Sequence, residues 1–249
     1  MRNSDWFIRR LADCHNVTDL RVLARRKLPW PIFNYLDGGA DDEVTLRRNS
    51  DAFSDYELLP SQLSDISQID LRTRVLGCDI DWPVLLAPTG ASRLFHHHKE
   101  PAVARAARAF GTIYSLSTLG TTTIEEIAAT TDGPKMYQVY VFKDRGITRD
   151  FVSRCKASNF DAICLTVDTQ VAGNRERDLV TGFGVPPDLK VRSLLSYLRH
   201  LPWSVRALVS GGFDMVNVTS SPGVSMEINE GVMAYINSQF DRTLSWKDV

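Results

Sequence analysis

Between residues 83 and 167 short apolar runs alternate with longer amphipathic stretches. The apolar runs are Pro83–Ala87, Thr112–Leu116, Met136–Val141 and Ala162–Val167. Runs that are apolar at nearly every position suit strands covered on both faces, as in a parallel sheet. They recur at about 30 residues or a little less, the repeat of successive βα units. Of the helices between them, the first opens at Glu100-Pro101, with proline at the tolerated first turn, and stops at Gly111. The second begins at Thr123-Ile124-Glu125-Glu126, where hydroxyl and carboxylate can satisfy free backbone donors reciprocally. The third runs from about Ile147 to Ser158, with Ile147, Phe151, Val152 and Cys155 on its apolar face. Polar residues gather after each strand, which favours a barrel over an open sheet.

Ahead of this repeat, Thr18 is placed to cap a helix from Asp19 to Leu28. Pro29 and Pro31 punctuate, Ile32–Leu36 leads into Asp37-Gly38-Gly39-Ala40, and a further helix fits Asp41–Asn49. Leu71–Leu76 and Ile80–Leu86 flank Gly77-Cys78-Asp79, a hairpin signal. After Thr169 the rhythm stops. There follow a loop at Val185-Pro186-Pro187, an amphipathic basic segment from Leu189 to Val209, a Gly/Ser-rich stretch from Ser210 to Gly223 and a helical piece from Ile228 to Phe240. The expected architecture is α/β: a TIM (β/α)8-type barrel represented by about its first four βα units. It divides into an N-terminal helical region with hairpin (1–80), a first half barrel (81–169) and a long loop with a following helix (170–249). Four more units need on the order of 100 further residues.

Composition adds exclusions. With 249 residues, 43% hydrophobic and 24% charged, the chain has material for one core, and one domain is expected. A formal net charge of -1 gives no electrostatic case for nucleic acid. Cys14, Cys78, Cys155 and Cys164 show no metal-ligand spacing and are expected as reduced thiols. Met1–Trp6 carries charge where a signal peptide needs an apolar run, so the expected location is cytoplasmic. The 189–209 segment combines Leu194, Leu195, Leu198, Leu201 and Trp203 with Lys190, Arg192, Arg199 and Arg206. That suits a surface helix packed on a barrel, the commoner case, and equally a helix lying on anionic lipid at the inner face of a membrane. His96-His97-His98 invites a metal reading, but three adjacent residues on a strand or helix do not point at one ion, and the expectation is a loop without metal.

Five motifs carry chemistry. They are Phe33-Asn34-Tyr35-Leu36-Asp37-Gly38-Gly39-Ala40, Ala87-Pro88-Thr89-Gly90, Ser115-Leu116-Ser117-Thr118, Met136-Tyr137-Gln138-Val139-Tyr140-Val141, and Leu165-Thr166-Val167-Asp168-Thr169 followed by Gly173-Asn174-Arg175-Glu176-Arg177-Asp178. A lone tyrosine is usually half-buried core, a lone Ser/Thr at a strand end is commonplace, and a loop arginine usually faces solvent. Gln138 and Tyr140, two apart on a strand, face one side. A glutamine turned into a barrel needs partners for its amide.

Together these motifs closely resemble the FMN-dependent 2-hydroxy acid dehydrogenase and oxidase family, which includes lactate and mandelate dehydrogenases and glycolate oxidase. The resemblance implies FMN as cofactor, lined by Pro88, Thr89, Gly90, Ser117, Gln138 and Thr166. It implies substrate contacts from Tyr35, Tyr140 and Arg175, the last pairing with a carboxylate. Asp168 is expected to orient neighbours and Arg177 to form a structural salt bridge. The implied reaction oxidises a small, lactate-like L-2-hydroxy acid to the 2-oxo acid, in an enzyme that is homo-oligomeric when complete. The family's flavin-site lysine, its Ser-Asn-His-Gly-Gly base motif and its second arginine have no counterpart in this sequence, and none of the five histidines matches the base. No catalytic residue is therefore assigned, and little or no activity with weak flavin binding is expected of the isolated chain. Two alternatives stand beside this reading. One is a non-catalytic remnant or a split-barrel subunit whose partner supplies the second half. The other is a different FMN barrel, of inosinate-dehydrogenase type, against which Asp37–Ala40 and Thr166–Thr169 argue jointly.

Overall fold

The computed structural model describes residues 7–169, 171, 173–184, 190–209, 213–222, 224 and 232–248. Met1–Trp6, the Val185-Pro186-Pro187 loop, Leu189, parts of the Gly/Ser-rich stretch and the expected helix start at Ile228 lie outside them. In chain order the helices are α1 (Val17–Lys27), α2 (Trp30–Asp37), α3 (Val44–Asp51), α4 (Ser92–Phe95), α5 (Lys99–Ala109), α6 (Ile124–Thr130), α7 (Arg145–Ala157), α8 (Glu176–Thr181), α9 (Val191–Arg199), α10 (Leu201–Val209), α11 (Val216–Thr219) and α12 (Val232–Gln239). The strands are β1 (Thr73–Val75), β2 (Cys78–Ile80), β3 (Tyr114–Ser117), β4 (Lys135–Val139) and β5 (Ala162–Leu165). The chain forms two compact units, Met1–Leu58 with Gly173–Gly212, and Leu59–Ala172 with Phe213–Val249.

In the second unit β1 and β2 make the expected hairpin. Its turn is Leu76-Gly77, both at positive φ (53° and 80°), so Cys78 and Asp79 belong to the strand and not to the turn. β3, β4 and β5 form a parallel sheet in that order, with Ser117 opposite Gln138 and Gln138 opposite Cys164. Pro83–Ala87, expected as the first strand, is reduced to one parallel bridge from Leu86 to Tyr114. The cause is local. Pro83 has no N–H, and the Val84 N–H turns back to the Trp82 carbonyl at 2.8 Å, leaving Leu86 N to reach Ile113 O at 3.2 Å. Among the described residues there is no closed barrel.

The core of this unit lies between the sheet and its crossover helices. Leu116, Ile124, Ile127, Tyr137, Phe142, Ile147 and Phe151 are fully buried. Tyr137 packs on Phe151 of α7 with ring centroids 5.8 Å apart, so the period of a strand turns its neighbour Gln138 to the opposite face. Thr123 caps α6 as expected: its hydroxyl accepts from Glu126 N at 3.1 Å and the Glu126 carboxylate accepts from Thr123 N at 2.9 Å. Along α7, Ile147, Phe151 and Cys155 are buried at a spacing of four, while Val152, one position off that line, is 44% exposed. Burial pushes the Cys155 thiol up to about 12, and all four cysteines are free thiols.

In the first unit α1 is capped by Asn16, whose side chain accepts from Asp19 N at 2.9 Å; Thr18 falls inside the helix. Asp37, at the end of α2, receives Arg21 and Arg177, and Arg177 also reaches Glu43 at 2.7 Å. The structural salt bridge expected of Arg177 is thus present. The 189–209 segment is not one helix. It breaks at His200 (φ -108°, ψ 46°), and Pro202 sits in the first turn of α10, where its missing amide donor is tolerated.

Candidate flavin and substrate site

The tips of β3, β4 and β5 are tied together by side chains. Ser117 Oγ donates to Gln138 Oε1 at 3.0 Å, Thr118 N donates to the same oxygen at 3.2 Å, and Gln138 Nε2 donates to Thr166 Oγ1 at 2.6 Å. Ser117 and Gln138 are buried. Three residues picked out separately along the sequence therefore form one chain of hydrogen bonds across three parallel strands. Thr118 belongs to it: its hydroxyl donates to the Gln138 carbonyl at 2.6 Å and accepts from Tyr140 N at 3.3 Å. Its only sequence signal was a hydroxyl residue at a strand end.

What the chain leaves over is donor capacity. Gln138 Nε2 has a second hydrogen, and Thr166, which accepts, keeps its own hydroxyl hydrogen. Thr166 also lines an open recess with Val141, Val167, Thr169 and Phe240. Such an edge suits the carbonyl oxygens of a flat heterocycle. The residues present therefore fit the pyrimidine side of a flavin.

The 88–90 loop approaches the same end of the sheet. Ala91 N donates to Leu119 O at 2.8 Å, and Leu119 N donates to Ser117 Oγ at 3.2 Å. A Cβ on Gly90 would stand 3.1 Å from Leu119 Cβ and 3.3 Å from Leu119 O, so glycine permits this approach. Pro88 is half-buried; Thr89 is exposed and its hydroxyl has no hydrogen bond among the described residues. Beneath the loop after β3 sits Glu100, 1% exposed. It accepts from Thr121 N at 2.8 Å, from the Thr121 hydroxyl at 2.8 Å and from the Thr122 hydroxyl at 2.7 Å. In the sequence Glu100 reads only as a helix start. Tyr140, just past β4, is half-buried and meets Phe240 edge-on at 5.4 Å. Asp168 is exposed and without a side-chain partner among the described residues, so the orienting role expected of it is not seen.

The other two substrate candidates meet within the first unit. The Arg175 guanidinium lies 4.9 Å from the Tyr35 ring centroid and donates to the Tyr35 carbonyl. Its Nε donates to Asp178 at 2.7 Å. Tyr35 stacks on Phe183 at 4.2 Å. Burial raises the Tyr35 phenol and Arg175 opposes that rise; the net shift is upward, so the hydroxyl stays protonated at neutral pH. Among the described residues two of the five donors on Arg175 are engaged. Asp178 and Phe183, which hold this pair, were not singled out in the sequence, although an acidic residue three after Arg175 was a usable signal.

The three histidines lie in a loop, as the sequence suggests, and their rings gather there. His96, His97 and His98 gather with ring centroids 4.1 to 4.8 Å apart. They occupy a turn between α4 and α5, where His96 is extended and His98 near-helical, so the alternation of a strand does not apply.

Parallel strands joined through helices, with linked polar groups at their carboxyl ends, define an α/β protein of the barrel-forming class. The comparisons give the family. Residues 24–249 match the model of the FMN-dependent dehydrogenases, and the chain belongs to that family. It is 38% identical over 239 residues to glycolate oxidase 5 of Oryza sativa subsp. japonica, covering 96% of this chain and 59% of the relative. Its structure is similar to that of the monotopic membrane protein (S)-mandelate dehydrogenase (TM-score 0.87, 32% identity, 94% of this chain and 62% of that one). It is also similar to a soluble mutant of the membrane-associated (S)-mandelate dehydrogenase from Pseudomonas putida (TM-score 0.72, 30% identity, 93% and 59%). The chain thus spans about three fifths of the length of these relatives.

Proposed function

We propose that the chain contributes to the FMN-dependent oxidation of a small L-2-hydroxy acid, of lactate-like size, to the 2-oxo acid. The observation that carries this is the Ser117–Gln138–Thr166 hydrogen-bond chain at the ends of three parallel strands. In this reading Ser117, Gln138 and Thr166 hold the flavin's polar edge, and Pro88, Thr89 and Gly90 supply backbone along the ring. Bound FMN supplies the two-electron acceptor. Within the first unit Tyr35 and Arg175 offer a hydroxyl and a planar guanidinium to a substrate carboxylate, and within the second Tyr140, two residues after Gln138, is a further substrate contact.

No residue of this chain is assigned as the general base in this reading. Among the described residues no histidine hydrogen-bonds to the Ser117–Gln138–Thr166 chain; His200 Nδ1 instead meets Ser196 O at 2.7 Å. Loss of a base commonly costs about 10² to 10⁴ in rate. Flavin fluorescence quenching and 2-hydroxy acid-dependent dye reduction on the purified chain test the proposal. Weak FMN binding that depends on Gln138, without turnover, is expected. Robust turnover would refute the missing base, and FMN binding indifferent to Gln138→Leu would refute the site.

The second reading, association with a partner that supplies further strands, is favoured by β5. Its outer edge has no strand partner among the described residues, and Ile163 is 42% exposed.

Contact with an anionic membrane surface at its cytoplasmic face is the further part of the proposal. Helix α9 buries Ser193, which donates to Thr181 O at 2.7 Å, and Ser196, which accepts from Trp30 N at 2.8 Å. Its Leu194, Leu195 and Leu198 remain 46%, 50% and 56% exposed, flanked by Lys190, Arg192 and Arg199. A helix packed on a barrel would bury the leucines; this one presents them. No helix among the described residues is long and apolar enough to cross a membrane.

A further inference from the structure

We propose that His96, His97 and His98 form a site for one divalent transition-metal ion of the zinc, copper and nickel class. The site is independent of the flavin reading. Its basis is the turn between α4 and α5. His96 is extended (φ -150°, ψ 141°) and His98 near-helical (φ -77°, ψ -8°), and Lys99 follows at φ 52°. These changes of direction bring three consecutive imidazoles to one side, which neither a strand nor a helix does.

The ligating atoms of the three rings lie within 4.8 Å of one another, and all three residues are exposed. Bonds of about 2.0–2.1 Å to a tetrahedral ion place ligand nitrogens roughly 3.3 Å apart. Exposed imidazoles close the difference by rotating about their side-chain bonds. His98 N donates to His96 Nδ1 at 3.2 Å, and ligation by His96 replaces or re-aims that contact. Three imidazoles leave a fourth position for water or an external ligand. Nitrogen donors favour copper, zinc and nickel over magnesium or calcium, with Cu²⁺ the tightest of the series. No described carboxylate joins the group, so the donor set is of imidazoles alone.

The test uses the full chain without an affinity tag. Zn²⁺ is titrated against a chromophoric chelator, and Cu²⁺ binding is followed by electron paramagnetic resonance. One equivalent of Zn²⁺ is expected, bound at least about tenfold more tightly than by a Ser92–Ala102 peptide, which has the same histidines without the folded turn. The Cu²⁺ spectrum should show coupling to three nitrogens. His15→Ala/His200→Ala should retain the site, and H96A/H97A/H98A should lose it with unchanged circular dichroism. Equal affinity of chain and peptide, a spectrum with fewer nitrogens, or undiminished binding in the triple variant would each overturn the assignment.

Discussion

Gln138 does two jobs with one amide. It joins three strand tips in the folded chain and, in the proposed reading, offers its second amide hydrogen to a flavin. Gln138→Leu leaves the buried Ser117 hydroxyl without its acceptor, at a cost of about 1–3 kcal/mol, while Thr118 N keeps the Gln138 backbone carbonyl at 3.1 Å. Urea unfolding should show a loss of about 1–3 kcal/mol, and no loss would mean that the amide chain does not form. A second residue sets an acid limit. Burial works to raise the Asp37 carboxyl, but Arg21 and Arg177 outweigh it and hold the group below its ordinary value. A lowered folded-state pKa gives stability that is present above the unfolded value, about 3.9, and lost as pH falls through the folded one. Asp37→Asn should therefore remove that part of the acid dependence, measured as a smaller drop in thermal midpoint between neutral pH and about pH 3. Gln138 was legible from strand period, which turns it to one face with Tyr140, and Ser117 and Thr166 only through the motifs that resemble the family. Glu100, Thr118 and Asp178 were not, because their importance lies in which distant donor each one meets.

At the scale of elements, legibility followed local chemistry. The Thr123–Glu126 box is read from four residues and occurs as read; Thr123→Ala should cost about 1 kcal/mol, measured by chemical denaturation. The apolar run at Pro83–Ala87 misled because composition alone does not show that one proline and one turned-back amide leave a single ladder bond. Val152 misled in a similar way: it is apolar and close to the buried stripe, but the four-residue spacing of Ile147, Phe151 and Cys155 excludes it. Helix α9 shows the converse. Its pattern was amphipathic, and only the folded unit shows that serines occupy the inward face and leucines the outward one. Leu194→Glu/Leu198→Glu should abolish co-sedimentation with phosphatidylserine vesicles and leave the thermal midpoint near its original value. Unchanged sedimentation would count against a membrane-facing role.

For the whole molecule the family was legible, since several spaced motifs point the same way and residues 24–249 match one family. The division into two compact units was not, because the first unit joins Met1–Leu58 to a segment more than 100 residues later. That division puts Tyr35 and Arg175 in one unit and Ser117, Gln138, Thr166 and Tyr140 in the other. A 2-oxo acid should accordingly protect Arg175 from guanidinium-directed modification, and Arg175→Lys should remove that protection, since an ammonium does not reproduce the planar fork. The central claim is that the linked strand tips form the polar wall of a flavin site. It is tested most directly by titrating FMN into the purified chain and into Gln138→Leu, following flavin fluorescence. The account predicts saturable quenching by the chain that weakens by about tenfold or more in the variant, as loss of a buried hydrogen-bonding group would require. Equal quenching by both proteins would contradict it.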